Sequence, residues 1–94
     1  MPRYVIEREI PAIGSAKHAE LHDAAKKSNA VLAQMTAEKK NIQWEHTYVA
    51  DNRTFCIYIA DNESLIHEHA ERSGFPATKI TEVRNVIDPV TGEG

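Results

Sequence analysis

Five of the 94 residues are histidines, at positions 18, 22, 46, 67 and 69, and they carry most of the chemistry that the composition allows. His18 and His22 are four residues apart. On a helix that spacing turns about 40° and climbs one turn, so two imidazoles can grip one metal ion. The competing reading is a polar shoulder on a surface helix. His67 and His69 are two residues apart, about 200° around a helix, so they cannot chelate together. His69 falls on the apolar side with Leu65, Ile66 and Ala70, as a bonded core histidine does, and His67 falls outside. Trp44, His46 and Tyr48 alternate along a strand-like run and would share one face; Cys56 and Tyr58 alternate along the next.

Whether those two rows meet depends on the turn between them. A three-residue loop Asp51-Asn52-Arg53 sets Tyr48 opposite Cys56 and His46 opposite Tyr58, and gathers all five side chains on one side. A two-residue Asp51-Asn52 turn sets Tyr48 opposite Phe55 instead. In the first case Trp44, Tyr48 and Tyr58 are candidates to line a pocket between the sheets for a small hydrophobic or aromatic ligand, with His46 and Cys56 as its reactive or metal-binding groups; Cys56 and, on the second helix, His69 complete the ligand-binding candidates. The competing reading makes Cys56 a small buried hydrophobe and the aromatics core or dimer filler. No glycine-rich phosphate loop, no nucleophile elbow and no carboxylate pair of arguable separation is present, so phosphoryl and glycosyl transfer have no support.

The elements that position these residues follow from pattern. Arg3 to Ile10 is β-branched and aromatic and ends at Pro11, which reads as a strand. Ser15 opens a segment through Met35 rich in Ala and Lys. Its Leu21, Ala24, Ala25, Ser28, Val31, Leu32 and Met35 recur at spacings of three and four, a helix with one apolar stripe. Ile42 to Val49 and Thr54 to Ala60 form a hairpin. A second helix lies between the capping run Asp61-Asn62-Glu63 and the stop Ser73-Gly74, and Lys79 to Asp88 reads as a fourth strand. The order βαββαβ is the ferredoxin-like α+β plan, a four-stranded antiparallel sheet with both helices on one face. We expect one domain over residues 1–94, with a core at 3–88 and a short tail at 89–94.

Strands two and three carry large apolar residues on both faces, so the helix-free face calls for a cover. A second copy packed sheet to sheet supplies it, giving a homodimer with a barrel-like interior. The single cysteine excludes an intramolecular disulfide and four-cysteine metal frameworks. A formal net charge of −3 with scattered Lys and Arg offers no footprint for nucleic acid. No apolar run approaches the roughly 20 residues of a membrane span, and no secretory signal is evident, so we expect a cytoplasmic protein.

The runs Tyr-Val-Ile-Glu-Arg-Glu-Ile-Pro (4–11), Ile-Gln-Trp-Glu-His-Thr-Tyr-Val (42–49), Cys-Ile-Tyr-Ile-Ala (56–60) and Glu-His-Ala-Glu-Arg-Ser-Gly-Phe-Pro (68–76) carry a resemblance. Together they resemble a small bacterial domain family of the nickel-responsive-protein-like kind, over nearly the whole chain. The resemblance implies a ferredoxin-like fold and a homodimer, and makes binding of nickel or another divalent transition metal the function to test; no organic cofactor is expected. His46 is the metal-ligand candidate embedded in these runs; His18 and His22 lie outside them. The alternative function is an enzyme or small-molecule-binding protein of the dimeric α/β-barrel kind, its pocket between the sheets.

Overall fold

In a computed structural model covering residues 1–94, strands β1 (Arg3–Glu9), β2 (Ile42–Val49), β3 (Arg53–Ala60) and β4 (Lys79–Val83) form one sheet in the order β2-β3-β1-β4. All three pairings are antiparallel. Helices α1 (His18–Ala37) and α2 (Glu63–Ser73) complete the βαββαβ order. Period-two alternation on β1 and β3 explains the layering: Tyr4, Ile6 and Arg8 are buried together with Thr54, Cys56, Tyr58 and Ala60. The apolar stripe of α1 supplies Val31 and Met35, and α2 supplies Ile66, so one core lies between helices and sheet. No helix is long and apolar enough to cross a membrane.

Local chemistry sets the element ends. Asn62 caps α2 by accepting the Leu65 N–H at 3.2 Å, and Gly74 ends the helix at φ 78°, a left-handed conformation suited to glycine. The first helix starts later than expected, at His18. A short 3-10 turn, Ile13–Ser15, intervenes, and Glu20 folds back to accept the Lys17 N–H at 3.2 Å. The fourth strand is shorter than expected, ending at Val83 and not Asp88. Its sole neighbour is β1, whose first paired residue, Arg3, already sits opposite Val83, so residues 84–88 have no ladder to join. Val86 and Ile87 are left exposed as a result.

The hairpin takes the two-residue turn: the Ala50 N–H donates to the Arg53 carbonyl at 2.9 Å, and Tyr48 lies opposite Phe55. A bulge between Trp44 and His46 then shifts the register, so that Trp44 lies opposite Tyr58. The turn is clamped from the side. Asn52 accepts the Ala12 N–H through its side chain at 2.9 Å, and the Gly14 N–H donates to the Asp51 carbonyl at 2.9 Å. A Cβ on Gly14 would sit 2.7 Å from the Ala50 oxygen and 2.8 Å from the Asp51 Cα. Both obstacles are backbone, so Gly14→Ala must displace the hairpin tip and is expected to cost about 1–3 kcal/mol in urea melts. An unchanged midpoint would contradict that close approach.

Candidate functional site

The bulge decides which side chains form a site. An inserted residue reverses the alternation, so the row Trp44, His46, Tyr48 expected on one face is split between two. Trp44 turns to the helix side, stacked near Tyr58 with ring centres 6.5 Å apart, and its indole N–H donates to Thr47 Oγ1 at 2.9 Å. His46 and Tyr48 point to the helix-free side and touch edge to face at 4.9 Å. Cys56 and Tyr58 are core residues of the helix side, 5% and 3% exposed. The gathering of five side chains permitted by the three-residue loop therefore does not occur, and Trp44, Cys56 and Tyr58 cannot line a space between two sheets.

They line a different one. A cavity of about 240 Å³, partly open to solvent, lies between the first half of α1 and the sheet. Its walls are mostly apolar, including Ile13, Leu21, Ala24 and Val49, and Phe75 joins them from the segment after α2. Its polar groups are Ser28, Thr47, Thr54, Tyr58 and Arg8. Arg8 escaped the sequence reading, although its signal was present: it is in phase with Tyr4 and Ile6 on β1, and so had to face the core.

Beside the cavity, Ser28 Oγ lies 3.1 Å from His69 Nε2 and 3.4 Å from the Tyr58 hydroxyl. His69 is 1% exposed, as its helix position predicted. Burial, reinforced by the Arg8 charge, pulls its pKa down to about 4, so the ring is neutral at pH 7. Its Nδ1 is buried without a partner, so no carboxylate orients the ring as in a serine-hydrolase triad. Burial also raises the Tyr58 phenol, which stays protonated. His67 is exposed and bonded to Glu63 at 3.3 Å. His69→Ala is therefore expected to cost about 1–3 kcal/mol and His67→Ala no more than about 0.5, read from denaturant midpoints. Equal effects would refute the assignment of buried and exposed faces.

The remaining histidines are dispersed. His18 and His22 occupy the start of α1 on its exposed side, with His22 Nδ1 3.7 Å from an Asp23 carboxylate oxygen. His46 lies on the opposite face of the sheet from α1. No three His, Cys, Asp or Glu side chains converge into a metal cage within the chain. A single chain thus supplies a two-imidazole platform and an isolated imidazole, and any further ligands would come from water or a second chain.

The helix-free face carries Val5, Phe55, Ile57 and Ile59, all half-buried, between two ion pairs. Arg3 meets Glu45 at 2.6 Å and Arg53 meets Glu7 at 3.0 Å.

A single antiparallel sheet in the order β2-β3-β1-β4, with two crossing helices, defines a ferredoxin-like α+β protein. Its family is equally definite: the chain belongs to the nickel-responsive protein SCO4226-like family, whose model matches residues 4–83. The crystal structure of SCO4226 from Streptomyces coelicolor A3(2) superposes with a TM-score of 0.72 at 18% identity, covering 90% of this chain and 99% of that one. At that identity the likeness is one of fold. No curated protein matches the sequence.

Proposed function

We propose that the protein binds a borderline divalent transition metal, nickel or a close neighbour, through histidine nitrogen, and that it works as a homodimer. Membership of the nickel-responsive family carries this reading. The exposed His18/His22 pair, one helical turn apart, gives it a physical basis, because imidazole suits nickel, copper and zinc alike. His46 is the second ligand candidate. Its face of the sheet is the one a second copy would cover, so a partner can supply the donors that a single chain lacks.

The dimer reading rests on that uncovered face. The molecule is a slab 20 Å thick in its shortest dimension, with helices on one side only. Tyr48, 63% exposed, extends the patch formed by Phe55, Ile57, Ile59 and Val5. The face carries three cations, Arg3, Arg53 and Lys79, against three anions, Glu7, Glu9 and Glu45, so two copies approach without net repulsion.

Untagged protein purified without chelator tests both statements. Light scattering at low micromolar concentration should return twice 10.5 kDa. Calorimetric nickel titration should show binding that weakens as pH falls, since proton and metal compete for one imidazole lone pair. His46→Ala or the double variant His18→Ala/His22→Ala should weaken binding by more than the roughly 10- to 100-fold that loss of an outer-shell partner costs. Undiminished binding in both variants would overturn the ligand choice. Absence of binding in the wild type would overturn the metal reading, and a 10.5 kDa particle would overturn the dimer.

A further inference from the structure

The cavity between α1 and the sheet holds a charge that the protein does not balance. Arg8 is 3% exposed. Its Nη1 donates to the Pro76 carbonyl at 2.8 Å and, more weakly, to that of Phe75 at 3.5 Å, and both acceptors are neutral. Its Nη2 is buried and makes no hydrogen bond, and the neutral Tyr58 phenol is close enough to feel the guanidinium. The guanidinium lies over the Phe75 ring, 5.9 Å from its centre, so the ring helps to fix it at the cavity wall. Every carboxylate ion pair of the chain involves another cation.

A buried lysine can shed its proton, but an arginine cannot, so this positive charge is permanent. Burying a charge without a counter-ion is costly, and natural sites supply the partner from somewhere. The groups facing Arg8 do not. Tyr58 on β3 is a protonated phenol, and His69 on α2 is a neutral ring. Ser28 on α1 offers a hydroxyl. Lys27, also on α1, adds positive potential, its ammonium 5.5 Å from the centre of the Phe75 ring.

We infer that this cavity binds a small monocarboxylate with an apolar body, its carboxylate facing the Arg8 guanidinium and its hydrocarbon or aromatic part among Ile13, Leu21, Ala24, Val49 and Trp44. A guanidinium nitrogen with free N–H donors matches a carboxylate oxygen, and the Tyr58 and Ser28 hydroxyls can share in holding it. The predominance of apolar wall selects against a fully solvated inorganic anion, because such an ion would leave most of the lining without a partner. The volume of about 240 Å³ falls below the roughly 300–1,000 Å³ of drug-sized pockets, which sets the ligand at the size of a simple aromatic or short branched acid. This site is separate from the histidines of the proposed metal reading, so the two stand or fall independently.

The only tryptophan, Trp44, lines the cavity and reports on its contents. Full-length, metal-free protein is titrated with phenylacetate, with phenylacetamide and with inorganic phosphate, following Trp44 fluorescence and heat. Phenylacetate should bind saturably and about tenfold or more tighter than its uncharged amide, the difference expected for a hydrogen bond to a charged group. Phosphate should not displace it. Arg8→Met should abolish the preference for the acid. Ala25→Leu, which narrows the cavity from α1 and leaves Arg8 in place, should weaken phenylacetate binding and keeps the test decisive if Arg8→Met does not fold. Equal affinity for acid and amide, displacement by phosphate, unweakened binding in Ala25→Leu, or no saturable binding in the wild type would each overturn the inference.

Discussion

Ile6→Ala is expected to remove about 2–5 kcal/mol of stability. Ile6 has no exposed surface and sits on β1, which has a strand on each side and the helices above. Truncation forfeits the transfer energy of the lost carbons and leaves a void that strands held on both sides cannot collapse to fill. Against a typical total of about 5–15 kcal/mol, much of the margin disappears. Ile87, 78% exposed beyond β4, is the control: Ile87→Ala should stay within about 0.5 kcal/mol. Urea melts at one protein concentration measure both, since association would make the midpoint depend on concentration. A loss at Ile6 below about 1 kcal/mol would mean that the core is not centred on β1.

Acid should destabilise the protein well before carboxylates titrate. The folded state holds His69 at about pKa 4, against about 6.5 for a free imidazole. Between those values the unfolded chain binds a proton that the native protein does not, so stability falls as pH falls. The contribution is complete above pH 6.5 and is lost progressively down to about 4, on the order of 3 kcal/mol in all. Carboxylates follow in stronger acid. Glu38 is held at about 2 by hydrogen bonds from Arg72 and Lys40, so its contribution is present above the usual carboxylate range and is lost as pH falls through about 2. Urea midpoints between pH 7.5 and 4 should therefore slope downward in the wild type and in Glu38→Gln, and flatten in His69→Gln. A flat wild-type profile over that interval would show that His69 is not a neutral buried ring.

Much of the architecture was legible in the residues because its signals are local. The stripe from Leu21 to Met35, the cap at Asn62, the stop at Gly74 and the β-branched runs each depend on neighbours a few positions away, and the βαββαβ order follows from them. The placing of His69 inside and His67 outside is of the same kind, since helical phase alone separates them. Three features needed tertiary structure. The end of β4 at Val83 depends on where a partner strand 80 residues earlier begins, which no property of residues 84–88 records. The division of Trp44 from His46 and Tyr48 depends on one bulged residue, and because side chains alternate with period two, that single insertion sends the indole to the helix side. The cavity itself is a space left between α1, the sheet and the Phe75 segment. Its charge could be counted in the sequence, but only packing removes Arg8 from water and leaves its Nη2 without an acceptor.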